Sequence, residues 1–447
     1  MRFKTIIIAA VIAVLAVPFA GAAELLGFAG EESTSVGIYI KDLATGKVLI
    51  DCNSQLALTP ASVMKAVTTA TALSINGADA RFSTQVVLRG AMKGAGVFGG
   101  DIVVCASADP TLESENFKAN RGFCDSIVAN LRRRGIKKIE GAVVVHQTLK
   151  DPGPLLTWEV EDLAWPYGAG LFGFNYRDNT ATVWPNTGKT RPEVPGLEIC
   201  VNKIPEGRNN LVRGIDSNRL MVYTRNTADT KWALNTTVPD PAAVFVCELT
   251  KKLTAAGITV GKKALGAGAE KPLYTHRSPR YAEILKSLMV RSDNLFAEGV
   301  LRNIEPRGTR KQTIDREREL WATRGINTRY TIINDGSGLS RSNRLSAHFL
   351  GDVLEWMAAS EYGADYATFF PRVGKEGTVR GFLDKTPLTG RIGLKTGSVS
   401  SVQCYAGYRF DADDKPTHVV VIMVNGFFCP RRQVREAAEK LLLDVFK

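Results

Sequence analysis

Long apolar runs are scarce in this chain of 447 residues. The one sustained run, residues 5–19, has about fifteen positions against the roughly 20 that span a bilayer, and nothing after it is long and apolar enough to cross a membrane. Histidine is rare too. His146, His276, His348 and His418 are widely scattered and no Cys-x-x-Cys pair occurs, so zinc and redox centres lack ligands and no metal or cofactor is expected. A Gly-x-Ser-x-Gly elbow is also missing, which disfavours a Ser-His-Asp hydrolase. No basic block exceeds Arg132-Arg133-Arg134. The formal charge of +12 therefore reads either as a solvated basic face or as peripheral affinity for an anionic cell-wall or membrane surface, and not as a nucleic-acid site. With no repeat and no low-complexity tract, solenoids and propellers drop out.

The composition that is present is globular, 45% hydrophobic and 23% charged, enough for at least two cores. Arg2 and Lys4, the apolar run and the small residues Ala20 to Ala23 read as a secretory signal over residues 1–23, which places the mature protein in a bacterial periplasm. Seven cysteines suit that oxidising compartment, and the odd number leaves at least one unpaired. Cys404 and Cys429 flank adjacent expected strands, while Cys105 with Cys124 and Cys200 with Cys247 lie within one middle region. These are the pairs expected, with Cys52 left over.

Alternation at Val36, Ile38 and Ile40, a turn around Gly46, and Val48 with Ile50 predict a hairpin. A helix follows, with Thr59 as N-cap, Pro60 at its first position and Gly77 as its stop, so that Ser62 falls in the first turn. Residues 78–273 change to short β-like runs broken by helical patches near 126–134 and 242–256, and 261–272 reads as a returning linker. Helical text resumes at 280–290, 293–304 and 311–324, and the chain ends in strands and an amphipathic helix at 432–446. Strands at both ends with helices between predict one sheet built from both termini. The divisions expected are 24–78 with 275–447 as a discontinuous domain, and 79–274 as an inserted β-rich module, as one unit or two nested ones.

Three short patterns carry chemistry. Ser62-Val63-Met64-Lys65 puts a hydroxyl and an amine one helical turn apart on one face, where the amine can take the hydroxyl proton. Ser292-Asp293-Asn294 stands at a break between helices, with a hydroxyl able to relay protons and an amide able to hold a carbonyl. Lys395-Thr396-Gly397 sits where a strand should be; an edge strand there can pair with an extended peptide, its Lys and Thr can meet a carboxylate, and Gly gives room for close approach. Each alone also reads blandly, as a solvated helix face, a helix cap and a strand entering a turn. Together, in this order, they form a known signature of class A β-lactamases and penicillin-binding proteins.

Residues 335–341 (Asp-Gly-Ser-Gly-Leu-Ser-Arg), 343–346 (Asn-Arg-Leu-Ser), Gly390-Arg391 and Lys395-Thr396-Gly397-Ser398 resemble the D-alanyl-D-alanine carboxypeptidase/endopeptidase family, the low-molecular-mass class C penicillin-binding proteins. Ala108-Asp109-Pro110 is similar to that family's Gly-Asp-Pro segment, with Ala replacing Gly. Ser62 and Ser292 stand 230 positions apart (292 minus 62), an interval that fits the family's large insertion better than a compact β-lactamase.

The resemblance implies an α/β (α+β) penicillin-binding/β-lactamase-like transpeptidase domain, with an antiparallel sheet flanked by helices and a large β-rich insertion. It implies Ser62 as nucleophile, Lys65 as base and Ser292 as proton relay to the leaving amine. Asn294 would orient the substrate amide, and Lys395 with Thr396 would receive its carboxylate. Gly397 would give clearance, and the N–H groups of Ser62 and Ser398 would form the oxyanion hole. Lys65 needs a lowered pKa, expected from burial and from the like charge of Lys395. Residues 335–341 read as a supporting loop. Substrates would be peptidoglycan stem peptides ending in D-Ala-D-Ala, with β-lactams as covalent inhibitors. The competing readings are a β-lactamase or esterase on the same site, and a non-catalytic cell-wall binding scaffold.

Overall fold

The computed structural model describes residues 25–215 and 217–447, so the expected signal segment at 1–23 lies outside the described residues. The hairpin forms as expected, β1 (Ser35–Asp42) against β2 (Val48–Cys52), with Gly46 supplying the left-handed turn residue at φ 70°. The helix after Pro60 differs from the expectation. Ala61–Val63 is a separate 3₁₀ turn, and the α-helix proper, α1, runs Met64–Asn76, closing at Gly77 whose N–H bonds the Leu73 carbonyl. Thr59 does not cap it. Its hydroxyl is engaged instead by the Arg344 guanidinium and the Arg341 carbonyl, because Ala61 at φ 46° turns the backbone between Thr59 and the helix. Small Ala and Thr side chains let α1 be buried on every side from Met64 to Leu73, which makes it the axis around which the helices pack.

After α1 the chain leaves for the middle region. β3 (Ser83–Gly94) and β4 (Val97–Cys105) form a long antiparallel pair, α2 (Phe123–Arg133) covers it, and β5 (Lys138–Ile139) and β6 (Val143–His146) add to β4 in parallel. Six short strands follow: β7 (Thr180–Trp184), β8 (Lys189–Arg191), β9 (Glu198–Lys203), β10 (Asn210–Val212), β11 (Arg219–Thr224) and β12 (Leu234–Thr237). They make two three-stranded sheets, β12-β7-β8 and β10-β11-β9. α3 (Pro241–Ala255), capped by the Asp240 carboxylate, and β13 (Thr259–Val260) lead back to β14 (Glu270–Arg277), which completes the six-stranded sheet by pairing with β3. The stretch 261–272 is therefore not linker to its end: Glu270 to Pro272 already belong to β14, held by backbone pairing that their side chains do not advertise.

The return brings α4 (Tyr281–Arg291), α5 (Asn294–Arg302), α6 (Arg310–Thr323), α7 (Ala347–Ala359) and the short α8 (Gly363–Ala367) around α1. β15 (Ile392–Val399), β16 (Val402–Phe410) and β17 (Pro416–Asn425) then join β1 and β2, and α9 (Arg431–Val445) closes the chain. The sheet order β15-β16-β17-β1-β2 is antiparallel throughout and draws on both ends of the chain. One face packs on α1, α4, α5 and α7, and the other on α9 and the segment from Leu26. β15 is an edge strand. Among the described residues no helix is long and apolar enough to cross a membrane.

All seven cysteines are free, so the expected pairs do not form. The sheets explain two of the three. Cys404 is buried in the helix-side core while Cys429 packs on the α9 side of the same sheet; Cys124 faces the core under α2, whereas Cys105 lies out of phase with Ile102 and Val104 on the other face of β4. Cys200 and Cys247 turn instead to separate carboxylates, Glu198 and Glu193.

Candidate active site

The three motifs converge on one cleft of about 470 Å³ lined by Ser62, Ser292, Thr396 and Ser398. Larger cavities of about 750 and 830 Å³ lie elsewhere and contain none of the motif residues.

Ser62 sits in the 3₁₀ turn at the mouth of α1, and the Lys65 amine lies 2.9 Å from its Oγ. Lys65 is fully buried, and its Nζ also lies 2.6 Å from both Asn294 Oδ1 and the Ser337 carbonyl oxygen. A neutral amine has two N–H donors and one lone pair; the two oxygens take the donors, and the lone pair is left for the Ser62 hydroxyl proton. Burial pulls the Lys65 pKa down against the opposing pull of Asp335, Asp293 and Glu298, leaving it at about 8. The Lys395 charge was expected to help lower Lys65, yet the repulsion registers on its partner. Lys395 is held well below its ordinary value by burial first and by Lys65 second.

Ser292 takes a left-handed conformation, φ 60°, as the residue that ends α4, and Asp293 caps α5 by accepting from the Phe296 N–H. This break swings the Ser292 hydroxyl to within 2.8 Å of Lys395 Nζ, whose other acceptor is the Thr396 carbonyl at 2.7 Å. When protonated, Lys395 has a third N–H donor free for a ligand. Asn294 is held at both ends, by Lys65 and by the Tyr167 carbonyl, which receives its Nδ2 at 2.7 Å. Thr396 donates its hydroxyl to Thr378 Oγ1, and Ser398 donates to Gln403.

Backbone N–H groups of β15 also face the free edge of the sheet. On β15 the Leu394 N–H points off the sheet to the Pro371 carbonyl, so strand alternation sends the N–H groups of Thr396 and Ser398 off the same free edge. Gly397 is pressed against the nucleophile turn. A methyl added there would stand 2.5 Å from the Pro60 carbonyl oxygen and 3.0 Å from Ser62 N. Gly397→Ala is expected to push β15 off that turn and lower acylation by about 10²-fold, measured as the second-order rate with a chromogenic β-lactam.

Residues 335–341 do more than support. Asp335 is fully buried and accepts from Gly338 N–H, Ser340 N–H, Asn343 Nδ2 and Trp158 Nε1, at 2.7 to 2.9 Å. Glu298, one turn beyond Asn294 on α5, accepts from the N–H groups of Gly336 and Ser337 at 2.9 Å and pairs with Arg310. The two carboxylates fix the Ser337 carbonyl on which Lys65 rests. Gly338, at φ 78°, lies so close under Ala61 that a Cβ would stand 1.9 Å from its carbonyl oxygen. Sequence reasoning misses Thr378, the Tyr167 and Ser337 carbonyls, Trp158 and Glu298. Only Glu298 carries a signal, a lone carboxylate in the otherwise apolar stretch of α5 from Leu295 to Leu301.

Residues 29–443 match the model of the D-Ala-D-Ala carboxypeptidase 3 (S13) family. The D-alanyl-D-alanine carboxypeptidase of Actinomadura sp. is 27% identical over 415 residues, covering 84% of this chain and 75% of its own. The D-alanyl-D-alanine carboxypeptidase DacB of Haemophilus influenzae is 26% identical over 428 residues, 89% of this chain and 86% of its own. The solved structure of penicillin binding protein 4 (dacB) from Haemophilus influenzae shares the fold at a TM-score of 0.78 and 23% identity, covering 93% of this chain and 97% of that one.

Proposed function

This chain belongs to the D-Ala-D-Ala carboxypeptidase 3 (S13) family and is a serine-type hydrolase, and from that membership we propose that Ser62 cuts the bond between two D-alanines at the end of peptidoglycan stem peptides. The observation that carries the reading is the buried Lys65 amine 2.9 Å from Ser62 Oγ, in a cleft that also holds the Lys395 and Ser292 pair.

Neutral Lys65 accepts the hydroxyl proton as Ser62 Oγ bonds to the scissile carbonyl carbon. The N–H groups of Ser62 and Ser398 receive the developing oxyanion. The proton passes by way of Ser292 to the leaving nitrogen, the C–N bond breaks, and D-alanine departs. Water then attacks the acyl-enzyme, returning the hydroxyl to Ser62 and a shortened peptide to solution. Lys395 and Thr396 hold the terminal carboxylate, and Asn294 orients the amide. The same machinery can release a terminal D-alanine or open a D-alanyl cross-link, and a β-lactam would acylate Ser62 by the same attack. Residues 79–274 act as an inserted module that reaches this site through Tyr167 and Trp158. Export by the 1–23 segment to the periplasm brings the enzyme to its substrate, and its charge of +12 favours peripheral contact with the anionic wall or membrane surface.

Incubation with a labelled penicillin should leave a single adduct, located by mass spectrometry on the peptide containing Ser62; an adduct elsewhere, or none, overturns the reading. The acylation rate should also depend on pH. Lys65 accepts the Ser62 proton only when neutral and its pKa is lowered to about 8, so the rate is expected to rise about tenfold per pH unit below that value and to level above it. A profile still climbing at the ordinary lysine range would contradict burial as the source of the base.

A further inference from the structure

We infer that the first turn of α9 is an anion-binding subsite for carboxylates carried by the departing part of the substrate; this rests on the reading of Ser62 as nucleophile. The cleft does not end at Thr396. It continues past Thr378, Phe382 and Tyr405 to a wall made by Arg431, Arg432 and Arg435, and no aspartate or glutamate lines it. Thr396, the residue expected to receive the leaving residue's carboxylate, lines the same cleft between Ser62 and these arginines, which associates the arginine wall with the departing side.

The wall is built at an electrostatic cost. Arg431 and Arg432 begin α9, where the exposed N–H groups and the helix dipole are already positive, with no acidic residue in the first turn and no side-chain cap. Arg431 has only the Val399 carbonyl as a partner among the described residues. Arg432 pairs with Glu436 in an exposed contact, which is worth little. Arg435 is held at its Nε by Glu439 and lies over the Phe382 ring, which stacks on Tyr405, so its guanidinium is oriented and its terminal nitrogens have no acceptor among the described residues. Guanidinium groups on a cleft wall, one of them with a carbonyl as its only partner among the described residues, match carboxylates in particular.

A terminal D-alanine brings one carboxylate, and Lys395 with Thr396 already provide for it. The remaining positive charge fits a leaving group that extends beyond one residue and carries carboxylates of its own, as the second peptide of a cross-linked stem pair does. The volume of about 470 Å³ leaves room for such an extension.

The test compares kcat/KM for a cross-linked stem-peptide dimer with free carboxylates against that for an N-acetylated monomer ending in D-Ala-D-Ala. The ratio of the two is measured for the parent protein, for Arg431→Gln with Arg432→Gln, and for Arg431→Lys with Arg432→Lys. A ratio that falls by about threefold or more in the glutamine pair and is kept in the lysine pair is the expected result. A smaller fall, or an equal fall in the lysine pair, overturns the subsite alone, since turnover would persist. If the parent cleaves neither peptide and takes no penicillin adduct, the reading of Ser62 fails and the subsite fails with it.

Discussion

Ser62→Ala should abolish the penicillin adduct and slow release of D-alanine by on the order of 10⁴ to 10⁶, the range seen when a nucleophile is removed from a working triad or dyad. The substitution is conservative for the fold, because Ser62 projects into the cleft and its partner Lys65 keeps two acceptors, Asn294 Oδ1 and the Ser337 carbonyl. Any residual rate would come from the backbone donors of the oxyanion hole, which survive the loss of a side chain. Intact-mass spectrometry and a D-alanine release assay on parent and variant decide the matter. An adduct that remains in the variant, or a rate within tenfold of the parent, would move the nucleophile elsewhere. Equal inactivity of parent and variant, with β-lactam bound only reversibly by both, would revive the reading of a non-catalytic scaffold.

What the sequence reveals of this site depends on how each part is encoded. The Ser62 and Lys65 pair is local, so its spacing alone predicts the contact, and the distance of 2.9 Å bears that out. The sheet built from both ends is legible as well, because β1 alternates at Val36, Ile38 and Ile40 and β17 is a continuous apolar run from Val419 to Val424, buried on both faces. The conformations that aim the groups are not. Ala61 and Ser292 adopt positive φ without being glycine, and nothing in an Ala or Ser betrays it; the surrounding packing imposes those angles. The Ser337 and Tyr167 carbonyls are main-chain atoms and so have no residue identity to read. Cysteine pairing fails for a related reason: proximity in sequence gave no information on which face of a strand each thiol takes, and that face excludes Cys404 from Cys429.

Buried carboxyl groups around the Lys65 amine act against the effect of its own burial. Asp335, Asp293 and Glu298 all favour a protonated Lys65, and the first and last also build the loop under it. Burial outweighs them and holds the Lys65 pKa at about 8, so a minor but usable share of the amine is neutral at physiological pH. The Asp293 carboxyl is itself pushed up to about 6 by burial, so it loses part of its charge in mildly acidic conditions. Lys395, the more strongly depressed amine, regains its proton most readily when a carboxylate arrives beside it. Lys65 lowers the Lys395 pKa as a like charge, so a proton on one amine disfavours a proton on the other.

Lys65→Met tests that arrangement with a side chain of similar reach and no amine. Acylation by penicillin is expected to fall by about 10² to 10⁴, the usual contribution of a positioned general base. The remaining rate should lose its dependence on pH near 8, because the group titrating there is gone. Lys65→Arg should be as slow as the methionine variant, although it restores charge and donors to Asn294 Oδ1 and the Ser337 carbonyl, because a guanidinium does not give up its proton at any working pH. Stopped-flow acylation rates across the pH range separate the two roles the amine could have. If the arginine variant acylates within tenfold of the parent, the amine at this position stabilises charge and does not transfer a proton, and the base must be sought at Ser292 and Lys395, which are 2.8 Å apart across the same cleft.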